Sequence, residues 1–536
     1  MRAVEAGPAT PPRGRLRVPS FAGALDWCRS LSRSGRVGLA VAAGALVGMA
    51  LVGLMPRGPV TATQALVAVS ASLGLGAFAG YVMRSRWAML VAPVVVAVAF
   101  ELRWIWLDGP TLDAPRFDTT YGVLAIILGR GFFFFVCTVP MLLGVTVGAA
   151  RARRHAQLVP SSRLRSRVGR YFRRGVAFAV AIGVGALVFF IARPGTTPPI
   201  TDASGNVVSG SIATLEKVDL PGGEQWISIR GYSEKNPVLL YLHGGPGQSG
   251  MPFTRFLYSD IAKDFVVVDW DQRGNGKSMS TIDPTSTYTL ESIVADTAAL
   301  SRYLSERFDE RKIYLAGTSW GSTLGVLTAQ RHPELFHAFI GGGQMVSQRE
   351  TDSRIYRDLM AHAERTGDKG VVAKLREFGP PPYADLYANA YVMQHYAALE
   401  PDYSLIPAVE QIGEDHFREI GPMGVFGREY NLVEKVNVMR GLMETFAVLY
   451  PQLQQTDFRR DVTRLDVPVY MFRGTSELAA RDDLAVEWFD ALDAPIKHRY
   501  QLDHAGHAVL TERADALSEV LTRTVLPETY EEGVER

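Results

Sequence analysis

The stretch Lys312-Ile313-Tyr314-Leu315-Ala316-Gly317-Thr318-Ser319-Trp320-Gly321-Ser322-Thr323-Leu324 decides the fold. An apolar, strand-like run leads into Gly-x-Ser-x-Gly, and a small-residue stretch compatible with a helix follows. In that strand–turn–helix context the sharp turn lifts the Ser319 hydroxyl clear of a sheet. A side chain at Gly317 or Gly321 would crowd the turn and the strand–helix packing. The five-residue pattern alone is common, so its meaning depends on the chain around it.

Apolar strand-like runs recur outward from this turn, at 238–242, 265–270, 312–316, 338–341, 467–472 and 498–502. Helical patterns such as 290–308 and 484–492 separate several of them. That alternation predicts a mainly parallel sheet with helices on both faces. The region 348–461 breaks the rhythm. It is long, mostly helical in pattern, and rich in Tyr, Glu and Met, and it reads as a cap inserted over the carboxyl edge of the sheet.

A serine nucleophile needs a base, an orienting acid and an oxyanion hole. The late histidines are His498, His504 and His507. His507 lies in a loop after the last strand, where the base belongs, and His504 is its competitor. The acid belongs after 467–472, where Glu477 is placed at the loop, while Asp482 and Asp483 fall at the start of the next helix. The backbone N–H of Trp320 and that of Gly245, in the glycine-rich loop His243-Gly244-Gly245-Pro246-Gly247, are the expected oxyanion donors. The segment Asp271-Gln272-Arg273-Gly274-Asn275-Gly276 reads as a turn supporting that loop. Arg273 and Lys277 could alternatively meet a substrate carboxylate.

The first part of the chain is different in kind. The 536 residues carry a net charge of +1, but residues 1–192 are rich in Ala, Val, Gly and Leu, with Arg as the main charge. Apolar stretches at 37–55, 61–83, 87–100, 131–150 and 175–191 approach the roughly 20 residues that a span requires, the third being short. Arginines cluster before the first (Arg13, Arg15, Arg17, Arg29, Arg33, Arg36), at Arg84 and Arg86, and between 151 and 174. The alternate loops lack that bias, so the positive-inside rule places the N-terminus in the cytoplasm and everything after five crossings outside. The arginine-rich loop fits anionic lipid better than nucleic acid. The only cysteines, Cys28 and Cys137, lie in this part, so no disulfide and no thiol nucleophile is expected after residue 210.

HGGPG at 243–247, DQRGNGKS at 271–278 and GTSWGSTL at 317–324 together resemble the prolyl iminopeptidases and their relatives among the α/β-hydrolases. The resemblance covers about residues 211–525 and leaves out the membrane part. It implies an α/β-hydrolase fold with a helical cap, which the apolar stretches place after an all-α transmembrane domain. It also implies release of an N-terminal residue, often proline, through an acyl-enzyme; the sequence shows no metal-ligand cluster or phosphate-binding loop, and no cofactor or metal is expected. Carried over by position, Ser319 matches the nucleophile and His507 the base. Glu477 stands where the family usually has aspartate, and Ala505 where it often has serine. An aminopeptidase also needs an anion to hold the substrate ammonium. Glu414, in Glu414-Asp415-His416-Phe417, and Glu444 are the candidates among many cap acids. The resulting division is a basic segment at 1–36, about five membrane helices within 37–192, a connector at 193–210, a core at 211–347 and 462–525, the cap at 348–461, and a tail at 526–536. The expected partners are a short peptide or other small acyl substrate and membrane lipids, without nucleic acid; oligomeric state stays open. The same triad could instead serve an ester, amide or lactone, and a sensor that only binds is a reading of a different class.

Overall fold

The structure is a computed structural model describing residues 30–530, apart from Arg86, Asp108, Pro110, 112–115, 156–163, Asp385, 400–412, 422–423 and Val425. The expectations placed on 1–29, on part of the arginine-rich loop, on part of the cap and on 531–536 lie outside the described residues. The chain forms two units, one from residues up to 51, 70–102 and 137–181, the other from 52–69, 103–136 and 182 onward.

The first unit is helical. Its helices are drawn from α1 (Arg33–Leu54), α2 (Ala62–Met83), α3 (Ala88–Glu101), α5 (Phe132–His155) and α6 (Leu164–Ala192); α4 (Thr120–Ile126), which leads towards α5, falls in the second unit. Among the described residues, four stretches are long and apolar enough to cross a membrane: Arg33–Leu54, Ala62–Met83, Thr120–Arg154 and Tyr171–Ala192. Helix α3 is apolar but only 14 residues long. Within this unit α2 and α5 meet backbone to backbone. A Cβ at Gly76 or Gly80 would strike the carbonyls of Met141 and Val145, and one at Gly144 or Gly148 those of Leu73 and Ala77. This reciprocal small-xxx-small contact lets the two apolar helices approach closely.

The second unit is built on an eight-stranded sheet in the order β1-β2-β4-β3-β5-β6-β7-β8. The strands are β1 (Ile212–Leu220), β2 (Gly223–Gly231), β3 (Val238–Leu242), β4 (Val266–Asp271), β5 (Ile313–Thr318), β6 (Phe336–Gly342), β7 (Val469–Gly474) and β8 (Lys497–Leu502). Strands β3 to β8 pair in parallel, whereas β1 and β2 are antiparallel additions at one edge. That hairpin was not anticipated from sequence. Alternation along the strands feeds two cores. Leu240, Leu242, Ile313, Leu315 and Met471 face one way, with α7 (Leu290–Phe308), α8 (Trp320–Arg331) and α14 (Ala479–Ala491). Leu239, Tyr241, Tyr314, Ala316 and Phe472 face the other, against Leu257, Ile261 and Leu517.

Between β6 and β7 the described chain is helical: α9 (Gln348–Thr366), α10 (Lys369–Phe378), α11 (Leu386–Ala397), α12 (Glu414–Ile420) and α13 (Leu432–Leu453). Helix α13 starts on a capping box. The Asn431 side chain accepts from the amides of Val433 and Glu434, and Glu434 accepts from the Asn431 amide at 2.8 Å. The connector is tied down rather than loose, since Thr196 donates to the Arg428 carbonyl and Arg230 donates to Thr197 and Pro198.

Candidate active site

Strand β5 delivers Ser319 into an unusual backbone conformation, φ 56° and ψ −121°, before α8 begins at Trp320. A non-glycine residue holds such a conformation only where its surroundings enforce it. Here the Ser319 amide donates to the Gly342 carbonyl at 3.0 Å, at the end of the neighbouring strand. A Cβ at Gly317 would strike the Gly321 carbonyl, and one at Gly321 the Leu242 carbonyl, so both glycines are required for close backbone approach. Because Trp320 opens the helix, its N–H is among the first four that lack an intrahelical acceptor. Its indole donates to Gln272 at 2.9 Å, which ties the elbow to the turn after β4.

The glycine-rich loop after β3 lies against this elbow. A Cβ added to Gly244 would stand 3.2 Å from the Ser319 Cβ. The loop is anchored by buried His243, whose Nε2 lies 2.9 Å from an Asp269 oxygen that also accepts from the Thr254 hydroxyl. Arg273 and Lys277 are committed inward. Arg273 donates to the carbonyls of Thr281, Thr287 and Pro284 and lies over the Tyr288 ring. Lys277 donates to Glu434 at 2.8 Å and to the Glu429 carbonyl. Both cations therefore serve the fold of this turn.

His507 stands over the end of β6, where a Cβ at Gly343 would strike its carbonyl and lie 3.0 Å from its Nδ1. Its Nδ1 is 2.5 Å from Glu477 Oε2. The other oxygen of Glu477 accepts from Arg481 Nε at 2.7 Å and from the Leu478 amide at 2.9 Å. Burial pushes this carboxyl up, but the charges and hydrogen bonds of His507 and Arg481 outweigh it and hold it at about 2. The loop carrying His507 is pinned by Glu512, which accepts from the Gly506 amide at 2.7 Å. The competing residues lie elsewhere. Asp482 pairs with Arg473, Asp483 is exposed, His504 is exposed, and His498 stacks on Tyr470 beside Glu528.

The cap acids divide sharply. Glu414 is on an exposed face of α12, paired with Arg418 at 2.9 Å. Glu444 is buried on α13 with Arg57 and Arg440 each at 2.9 Å. Two contributors went unread in the sequence. Arg481, one helical turn after Glu477, was signalled by i, i+4 spacing. Arg57 carried no signal, being a lone charge in a short loop far from the motifs.

The family description "alpha/beta hydrolase fold" matches residues 237–514, and the chain belongs to that family. Among its relatives, a probable aminopeptidase of Bacillus subtilis (strain 168) is 27% identical over 325 residues, spanning 58% of this chain and 96% of that protein. The proline iminopeptidase of Lactobacillus helveticus (strain DPC 4571) is 29% identical over 194 residues, spanning 34% of this chain and 60% of that protein. Similar solved structures include a proline iminopeptidase-related protein from Thermus thermophilus, 19% identical with a TM-score of 0.39, covering 59% of this chain and 98% of that one. Another is the proline iminopeptidase of Mycobacterium smegmatis, 17% identical with a TM-score of 0.38, covering 59% and 99%. The chain is thus an α/β hydrolase with aminopeptidase-like relatives, extended at its N-terminus by apolar helices.

Proposed function

We propose that the protein is a membrane-anchored serine hydrolase that releases an N-terminal residue from short peptides, as proline iminopeptidases do. The observation that carries the reading is the His507–Glu477 pair at 2.5 Å, standing over the end of β6, whose Gly342 carbonyl accepts from the Ser319 amide, with Gly244 against the serine. Ser319 Oγ attacks the carbonyl carbon while His507 Nε2 takes its proton. Glu477 holds the opposite ring nitrogen and stabilises the imidazolium. The N–H groups of Trp320 and Gly245 receive the oxyanion. Collapse expels the amine, protonated by His507, and leaves an ester on Ser319 that water hydrolyses by the same exchange in reverse.

An ester, amide or lactone substrate is the second reading. It is favoured by one observation: Glu414 is exposed and Glu444 is held by two arginines, so neither offers an unengaged carboxylate to an ammonium group. A panel of free and N-acetylated aminoacyl-arylamides, given to the full chain, separates the two. Cleavage lost on acetylation is expected, and retained cleavage selects the second reading. Ser319→Ala is expected to remove turnover of either kind while the chain still folds, and undiminished turnover would overturn the nucleophile.

The hydrolase is proposed to face outward. Arg57, in the turn between α1 and α2, bonds Asp283 and Glu444 of the hydrolase, so that turn and the catalytic unit share one side of a membrane. An even number of crossings must then separate them, which supports a crossing by short α3 alongside α2, α4–α5 and α6. Helix α3 continues through the 3₁₀ turn Leu102–Ile105, and together these rise about 29 Å, close to the thickness of the hydrocarbon core. The basic N-terminal segment then lies opposite, in the cytoplasm.

A further inference from the structure

We propose that Arg57 is a positioning residue of the hydrolase, reaching from the turn between α1 and α2 to fix cap helix α13 against the oxyanion loop. The inference rests on the serine-hydrolase reading for its kinetic consequence, but its geometry stands apart from it.

The turn grips α13 at three places. Val60 accepts from Asn437 at 2.7 Å, the Arg57 carbonyl accepts from Arg440 at 2.9 Å, and Arg57 Nη1 donates to Glu444 at 2.9 Å. Residues 437, 440 and 444 form one stripe at i, i+3 and i+7. Arg57 Nε also donates to both oxygens of Asp283, at 3.0 and 2.9 Å, so a single guanidinium joins the cap helix to the loop after β4. Its fork geometry suits two carboxylates at once, which a lysine ammonium cannot reproduce.

The neighbouring stripe of α13 meets the site. A Cβ at Gly247, the last residue of the oxyanion loop, would strike the Gly441 carbonyl and stand 2.8 Å from the Leu442 Cα. A Cβ at Gly441 would stand 2.8 Å from the Gly274 carbonyl and 2.9 Å from the Asn275 Cα. Thr445 donates to Asn275 at 3.0 Å. Backbone therefore lies on backbone between α13 and both glycine-rich loops, without side chains that could flex to absorb a shift. Arg57 and Glu444 are each almost fully enclosed, with side chains 3% and 5% exposed. Removing Arg57 leaves Glu444 with Arg440 alone and Asp283 without this cation, so the link between helix and loop is broken and the helix is free to shift. Displacement of α13 moves the wall against which Gly245 must present its N–H.

The test uses the full chain in detergent or native membranes. Sites are counted with a fluorophosphonate, and kcat is expressed per labelled site. For Arg57→Ala we expect kcat per site to fall on the order of 10–100-fold, as a displaced oxyanion donor would cause, with a smaller change in KM. Arg57→Lys should recover part of the loss. A role in folding alone would lower the number of labelled sites and leave kcat per site intact, and that result overturns the proposal. Hydrogen exchange read in parallel should quicken at residues 438–446 and 244–248 in Arg57→Ala. Unchanged exchange there overturns the proposal whatever the chemistry. Should Arg57→Ala not accumulate, Arg57→Lys and Glu444→Gln carry the same readouts. Wild-type turnover without fluorophosphonate labelling would instead refute the serine nucleophile, and the exchange data would still decide on Arg57.

Discussion

Two buried glutamates, Glu477 after β7 and Glu444 on α13, occupy similar surroundings and end with opposite capacities. Their side chains are 3% and 5% exposed, and each pairs with an arginine one helical turn away, Arg481 and Arg440. The difference is the second partner. Glu444 gives its other oxygen to Arg57, so a fixed cation meets each oxygen. Glu477 gives its other oxygen to His507, whose side chain is 22% exposed and which stands over the end of β6. An imidazole can pass a proton onward and a guanidinium cannot. On the proposed mechanism, burial and charge pairing alone therefore do not mark the working carboxylate; the group on its second oxygen does.

Neutralising each glutamate tests the comparison most directly. Glu477→Gln should lower kcat on the order of 10³–10⁴-fold, because an amide no longer stabilises the imidazolium or fixes its tautomer. Glu444→Gln should act mainly on stability, since buried Arg440 loses its counter-charge at a cost of about 3–5 kcal/mol, with a loss of kcat no larger than the roughly 10–100-fold expected of Arg57→Ala. Thermal unfolding and kcat per titrated site, measured on both variants, check the contrast. Equal catalytic losses would erase that distinction.

A smaller catalytic effect is expected at Arg481. It holds Glu477 Oε1 at 2.7 Å and helps keep that carboxyl charged. Arg481→Ala should lower kcat roughly 10-fold, with partial recovery in Arg481→Lys, because the acid keeps His507 but loses its own anchor. A change in KM alone would remove Arg481 from the positioning of the acid.

What could be read in advance follows from how each site is assembled. The elbow, the HGGPG loop and the turn at 271–276 are contiguous, and each must adopt one backbone shape, so residue types at fixed offsets reveal them. Glu477 and His507 were singled out by their place after β7 and β8, and the structure pairs them. The parallel sheet followed from alternating strands and helices, but the β1–β2 hairpin was missed. Its strand β1 is mostly half-buried, which blurs the apolar alternation. The grip on α13 was illegible for another reason. Asn437, Arg440 and Glu444 form an ordinary helical stripe, and their partners at 57 and 60 lie nearly 400 positions earlier. No local propensity links a turn between apolar helices to a cap helix; only the folded chain does.

Stability against pH gives the finest test, because Glu477 and Asp352 should respond with opposite sign. The Glu477 carboxyl lies at about 2 in the folded chain, below its ordinary 4.5, so its contribution is present above pH 4.5 and is lost as the pH falls towards 2. Asp352, on α9, is pushed up to about 6 by burial, against the pull of hydrogen bonds from Tyr450, Gln348 and Gln454. Its contribution is therefore fully present below about 3.8 and is lost as the pH rises through 6. Asp352→Asn keeps a carbonyl oxygen for the Tyr450 hydroxyl, which donates to the aspartate at 2.7 Å, and the two glutamine amides can turn to suit. This variant should flatten the wild-type decline in stability between pH 4 and 6, a slope of at most about 1.4 kcal/mol per pH unit for one group. Denaturant midpoints across that range read it directly. A slope unchanged by Asp352→Asn would show that Asp352 is ionised throughout, and burial would then have failed to do at α9 what His507 and Arg481 reverse at Glu477.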